Sequence, residues 1–168
     1  MLYLYHAPPS VCAMKVRLVL NEKGLPWDGK ILDLRRGDQF DPEYRKLNPN
    51  SVVPTLVHDG RAVVESTVII EYLDEAFPSP ALMPGDPYKR AVARLWMKKV
   101  DDYLHGAEML AMDRLWTGRR PHVADWYDRV RQRPSFEGGI ARYITESVRE
   151  HFNVPREETW QKISQFLA

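Results

Sequence analysis

The chain has 168 residues, 44% of them hydrophobic, and its 24 basic and 23 acidic side chains leave a formal net charge of +1. That length fits one large domain or two small ones with a real core, and the balanced charge gives no bulk attraction to nucleic acid or to acidic membranes. The single cysteine, Cys12, excludes an internal disulfide framework and any Cys-x-x-Cys pair, and the five histidines never fall at metal-ligand spacing, so no metal is expected.

Leu2 to His6 is apolar and aromatic and predicts a strand. Ala7-Pro8-Pro9-Ser10 interrupts it, and Val11 to Lys23 reads as a helix stopped by Gly24 and Pro26. Trp27 to Leu34 supplies a second strand, Asp41 to Leu47 a short helix and Asn48-Pro49-Asn50 a turn. Thr55 to His58 and Arg61 to Val64 flank Asp59-Gly60, a strong two-residue hairpin signal. A helix then runs through Val68, Ile69, Tyr72, Leu73, Ala76 and Phe77. The order β-α-β-α-β-β-α predicts a small mixed sheet, parallel at its start and closed by an antiparallel hairpin. This is a thioredoxin-like α/β arrangement, expected over residues 1–79.

Residues 80–87, rich in proline, are expected to be a linker, and strand signals vanish after it. An all-helical domain is expected over 88–168. A long helix starts at Tyr88 and runs through Ala91, Leu95, Val100 and Leu104, continuing past Gly106 toward Leu115, with a break at Thr117 to Pro121. The next helix carries Val123, Trp126, Tyr127 and Val130 at helical spacing and ends before Pro134; two more are expected over Phe136 to Phe152 and Glu157 to Phe166. The N-terminus has no basic region ahead of its apolar residues, and no apolar run approaches the roughly 20 residues that span a bilayer, so a cytoplasmic protein without membrane contact is expected.

Val53-Pro54-Thr55-Leu56 is the most informative stretch. A strand accepts proline only at its first residue, at an edge or at a bulge, so Pro54 opens a strand. A cis Val53-Pro54 bond would turn the amide and carbonyl of Val53 outward, where an extended ligand pairs like an added strand. Ser66 suits the N-cap of the following helix, whose free amides would face a carboxylate, and Glu65 would hold an ammonium. Together these residues read as a docking edge for a small peptide bearing both groups; a proline turn beside an ordinary helix cap is the plainer alternative.

Three segments carry a resemblance to a known family: Ser10-Val11-Cys12-Ala13-Met14-Lys15-Val16-Arg17, Leu47-Asn48-Pro49 ahead of Val53-Pro54-Thr55-Leu56, and Glu65-Ser66 continuing to Glu71-Tyr72-Leu73. With them, residues 1 to 87 resemble the soluble glutathione transferase superfamily, in its serine-type classes similar to theta and zeta and their bacterial relatives. The resemblance implies that glutathione is the co-substrate, that Pro54 is cis and Val53 pairs with the ligand backbone, that Glu65 and Ser66 hold its γ-glutamyl end, and that Gln39 holds its glycyl carboxylate. It implies Ser10 as the catalytic residue: the hydroxyl and the free amides of the first helix would face the sulfur. A hydrogen bond to a charged partner is worth about 1.5–3 kcal/mol. That corresponds to roughly one or two units of thiol pKa depression, which raises the fraction of nucleophilic thiolate.

The implied activity is thiolate attack on a small apolar electrophile, as in detoxification, or glutathione-assisted isomerisation, in a homodimer. A non-catalytic binding or interaction module is the alternative. It is suggested by Val52, where many members carry a polar or basic residue, and by a helical domain that is shortened relative to the family. A block is missing between about His105 and Met109, and the tail from Pro155, with Trp160, Ile163 and Phe166, or a second copy is expected to cover the apolar surface this leaves. Cys12 is expected to be a small buried hydrophobe against the sheet. Disulfide exchange would need a cysteine at position 10. Tyr5 and His6 read as core or pocket rim, and Arg129, Arg131 and Arg133 as a solvated helix face rather than a nucleic-acid site.

Overall fold

The computed structural model describes residues 1–104, 121–146 and 148. Strand Leu2–His6 (β1) buries Leu2, Leu4 and His6 and leaves Tyr3 and Tyr5 half-buried on the other face, the period-2 alternation of a pleated strand. Helix Val11–Glu22 (α1) then crosses to Trp27–Ile31 (β2), which pairs parallel with β1, Leu2 opposite Trp27 and His6 opposite Ile31. The second strand stops at Ile31 rather than Leu34. Asp33 ends it: its carboxylate accepts the amides of Arg35 (3.0 Å) and Arg36 (3.4 Å), and its own amide donates to Asp38, so a local side-chain turn replaces the ladder.

A 3₁₀ turn at Asp38–Phe40 leads to helix Pro42–Leu47 (α2), capped by Asp41 through the amides of Glu43 (2.8 Å) and Tyr44 (3.3 Å). Thr55–His58 (β3) lies antiparallel to β1, and Arg61–Val64 (β4) completes the hairpin. Asp59 and Gly60 both have positive φ, 48° and 79°, as a tight two-residue hairpin turn requires. The sheet order is β2-β1-β3-β4, the mixed thioredoxin-like sheet that the element order predicts.

Ala13, Val16, Arg17 and Leu20 form the buried stripe of α1. Val16 and Leu20 pack with Leu2, Leu4 and Leu56 of the sheet and with Ile69 and Leu73 of helix Ser66–Ala76 (α3). A second cluster, Ala7, Leu32, Tyr44 and Val53, gathers around α2. Lys23 ties the end of α1 to the chain after α3: its buried ammonium meets Asp74 at 2.7 Å and donates to the carbonyls of Phe77 (2.7 Å) and Pro80 (2.8 Å). Among the described residues two peptide bonds are cis, Val53-Pro54 as expected and Ser79-Pro80, which the sequence reading did not anticipate.

The chain divides into two units. The second includes Pro87–Lys99 (α4), capped by Asp86 through the amide of Lys89 at 2.8 Å, a π-helical turn at Val100–Leu104, and Pro121–Arg131 (α5). The first takes in Met1–Leu82 together with Pro134–Thr145, a segment that the sequence reading assigned to the helical domain. Its helix Pro134–Gly139 (α6) packs on α1, with Ser135 donating to Glu22 at 2.6 Å. The helix expected over Phe136 to Phe152 therefore stops at Gly139, followed by a 3₁₀ turn at Ala141–Tyr143. Gly139 is the reason for the close packing, since a Cβ there would sit 2.8 Å from the backbone of Leu18.

Among the described residues no helix is long and apolar enough to cross a membrane. The expected continuation past Gly106, the missing block near His105, the helix over Glu157 to Phe166 and the covering tail lie outside the described residues.

Candidate functional site

The strand registers bring the predicted site residues to one end of the sheet. Tyr5 of β1 lies opposite Thr55 of β3, and Thr55 opposite Val64 of β4. The chain leaving β1 toward Ser10, the Val53-Pro54 bond entering β3, and Glu65 leaving β4 therefore emerge side by side. Strand β2 ends at the same level, with Ile31 opposite His6, and carries the chain on to Gln39. The Lys15 ammonium on α1 donates to the Thr67 hydroxyl on α3 at 3.2 Å, which holds together the helix ends that bear Ser10 and Ser66.

Ser10 occupies the N-cap of α1 in extended backbone, φ −74° and ψ 115°, and its Oγ accepts the Ala13 amide at 3.2 Å. Because the oxygen is the acceptor there, the hydroxyl proton is left to be donated elsewhere. No acidic residue stands in the first turn of α1, so the positive end of the helix faces no anion of its own making. Cys12, expected against the sheet, is only half-buried and lies off the stripe of Ala13, Val16, Arg17 and Leu20.

A buried polar network sits behind Val53. Tyr44 donates to the Val52 carbonyl at 2.5 Å and shares a 2.9 Å hydrogen bond with the Thr55 hydroxyl. The Asn48 amide nitrogen donates to the same two oxygens, at 2.9 and 3.1 Å. Asn48, Thr55 and Tyr44 are all buried, and burial pushes the Tyr44 phenol up while its hydrogen bonds to Thr55 and Asn48 oppose this. The network anchors the backbone on both sides of Val53-Pro54. The amide and carbonyl of Val53 itself have no hydrogen-bond partner among the described residues, so they form a short open strand edge. Val52 is exposed.

Glu65, not Ser66, takes the N-cap position of α3; Ser66 is its first helical residue and is buried. Glu65 has φ 68° and ψ 112°, a sparsely populated conformation that costs a non-glycine residue on the order of 1–3 kcal/mol. Its carbonyl accepts the Ile69 amide at 2.8 Å, whereas its side chain makes no capping bond and is exposed. The exposed Glu65 carboxylate thus stands at the start of α3, where the first amides of the helix have no intrahelical partner. Gln39 sits in the 3₁₀ turn with its amide nitrogen donating to the Leu34 carbonyl at 3.4 Å, and its buried Oε1 has no partner among the described residues. That amide is turned inward toward Leu34.

The sequence reading missed the group beneath the Ser10 turn. Arg17 is fully buried and donates from Nε to the Gly139 carbonyl (2.8 Å), from Nη1 to the Ala7 carbonyl and His6 Nδ1 (3.2 Å each), and from Nη2 to the Pro8 carbonyl (3.2 Å). Its guanidinium carbon lies 4.2 Å from the centre of the Tyr143 ring, within cation–π range. Burial lowers the Arg17 pKa to about 10. Burial first, and the Arg17 charge second, hold His6 at about 4. A guanidinium only donates, so Nδ1 is the acceptor and the neutral ring carries its proton on Nε2. His6 is thus core, edge-on to Trp27 and Tyr143, and the Tyr5 ring meets Tyr3 edge to face and Tyr44 at a tilt. The one available signal was a basic residue in the apolar register of α1.

Among the described residues no cluster of side chains could hold a metal ion. Residues 4–81 match the family described as glutathione S-transferase, N-terminal domain. The chain is 43% identical over 104 residues to protein LigF of Sphingobium sp. strain SYK-6, covering 61% of this chain and 40% of that protein. It is 42% identical over 94 residues to maleylacetoacetate isomerase of Mus musculus, covering 55% of this chain and 44% of that one. The matched stretch thus spans about two fifths of those relatives' own length. The crystal structure of beta-etherase LigF superposes with a TM-score of 0.64 at 29% identity, over 98% of this chain and 68% of the other.

Proposed function

Residues 4–81 belong to the glutathione S-transferase N-terminal domain family, and from that premise we propose that the chain binds glutathione at the shared end of its sheet and activates the thiol for transfer or isomerisation. Val53 pairs its open backbone with the extended tripeptide. Glu65 and Ser66 hold the γ-glutamyl ammonium and carboxylate, Gln39 the glycyl carboxylate once its amide turns from Leu34, and Ser10 donates its hydroxyl proton to the sulfur. The thiolate then attacks a small apolar electrophile, or adds to and leaves an unsaturated acid in an isomerisation. The working protein is a cytoplasmic homodimer.

The observation that carries this reading is the Ser10 hydroxyl. Its oxygen accepts the Ala13 amide, which leaves its proton to be donated to an acceptor at the start of α1. An anionic sulfur suits that place because helix amides and hydroxyl both favour negative charge.

Calorimetric titration with glutathione tests the reading. The intact chain is expected to bind one equivalent, and Glu65→Ala to bind about 10- to 150-fold more weakly, the loss of one charge-assisted hydrogen bond of about 1.5–3 kcal/mol. No heat from the intact chain overturns the proposal. Binding without turnover of any electrophile in a broad panel, or of unsaturated diacids, overturns its catalytic half and leaves a binding module.

A further inference from the structure

The turn between β1 and α1 has few ways to hold its shape. Pro8 and Pro9 have no amide to donate, and the carbonyls of Ala7 and Pro8 face the interior rather than a strand ladder. The Ala7 carbonyl accepts two donors, the Ser10 amide at 3.2 Å and Arg17 Nη1 at 3.2 Å. Pro8, one residue on, is held by Arg17 Nη2. One planar guanidinium thereby grips both carbonyls, and the first of these also sets the backbone of Ser10. The opposite edge of the same guanidinium holds Gly139 of α6, and the Tyr143 ring stacks on it. No carboxylate pairs with Arg17 among the described residues. A buried, unneutralised arginine is a costly way merely to fill space, but its rigid fork of donors is suited to fixing several carbonyls at once.

We propose that Arg17 is a positioning residue for the thiol chemistry. It fixes the turn that carries Ser10, and through Gly139 it makes that setting depend on the segment 134–145. The proposal rests on the reading of Ser10 above. Lysine at this position keeps the charge but offers one nitrogen, which cannot span Ala7, Pro8 and Gly139. The Ser10 hydroxyl and the α1 amides would then lose their aim, while Val53 and Glu65, on other segments, keep their hold on the ligand.

The test compares Arg17→Lys and Gly139→Ala with the parent chain. The alanine methyl would meet the backbone of Leu18 at 2.8 Å and of Arg17 at 3.0 Å and push α6 off α1, leaving the side chains of Arg17 and Ser10 chemically unchanged. Both variants are expected to raise the pKa of bound glutathione, read from thiolate ultraviolet absorbance against pH, by about one unit, a roughly tenfold loss of thiolate near neutrality. The glutathione Kd is expected to stay within about threefold, less than one lost hydrogen bond of average worth. A second readout needs no glutathione: in a Cys12→Ser background, the pKa of the thiol introduced by Ser10→Cys, from alkylation rates, is expected to rise when Arg17→Lys or Gly139→Ala is added. If both variants are folded by near-ultraviolet circular dichroism and neither moves either thiol, the proposal is overturned. If the introduced thiol shifts as expected while the parent chain does not lower the glutathione pKa, the positioning role stands and the glutathione reading fails.

Discussion

Replacing Ser10 by alanine removes both the bond from the Ala13 amide and the bond to sulfur that the proposed function requires. Removing the acceptor for the Ala13 amide uncaps α1 and costs about 0.5–2 kcal/mol of stability, or a Tm loss of roughly 1–8 °C at about 2–4 °C per kcal/mol for a chain of this size. Removing the donor to the sulfur raises the bound thiol pKa by roughly one to two units. Well below that pKa the thiolate fraction falls about 10- to 100-fold, but a more basic thiolate is more nucleophilic, with a Brønsted slope of about 0.4–0.5. The net expected loss in kcat is then roughly 3- to 15-fold near pH 6.5, with little change in glutathione Kd, because Val53 and Glu65 are untouched. At a pH above both thiol pKa values the thiolate is fully formed in each protein. The deficit should then close and reverse, the variant exceeding the parent by roughly 2.5- to 10-fold where the chemical step limits the rate. The assay is initial rate against pH at saturating glutathione, run well below the variant's Tm. A rate ratio that is the same at every pH, or no loss at all, would refute the assignment of Ser10 as the group that stabilises the thiolate.

Two further outcomes follow from buried groups. Because burial and Arg17 hold His6 at about 4 against 6.5 when exposed, the unfolded chain binds the extra proton between these values; stability present in full above pH 6.5 is lost as pH falls through 4, by up to about 3 kcal/mol. His6→Gln keeps an acceptor for Arg17 without titrating, so its unfolding free energy in urea should vary less from pH 7 to pH 4, and an unchanged slope would contradict the cause given. Asn48→Ala removes donors to the Val52 carbonyl and Thr55 and should cost about 2 kcal/mol in denaturant. It should also weaken glutathione binding by loosening the Val53 edge; an unaltered Kd would make the network purely structural.

What could be read from the sequence was local. Pro54, the Asp59-Gly60 turn and the proline break before Ser10 act through their own backbone, so strand order and the placing of Ser10, Val53 and Glu65 followed from short stretches of chain. Even there, one residue of helix start went astray. Ser66 has the chemistry of a cap, but the β4 register leaves Glu65 at that position with φ 68°, a choice made by the hairpin rather than by propensity. Arg17 was opaque for a different reason. Its partners Gly139 and Tyr143 lie more than 120 residues away, so its place in the apolar register of α1 hints at burial but not at what it holds. The loss of strand signals after the proline-rich link places residues 134–145 in the helical part, yet the Gly139 approach to Leu18 binds them to the first unit. The same long-range contact gives the site a dependence that its motif does not contain. The segment proposed to grip glutathione lies within residues 1–82, whereas Arg17, which holds the turn before Ser10, takes a partner from beyond α5. Excising residues 1–82 would therefore be expected to preserve the docking edge better than the thiol chemistry, since Arg17 would lose Gly139 and the Tyr143 ring while Asn48 and Tyr44 kept every partner named here.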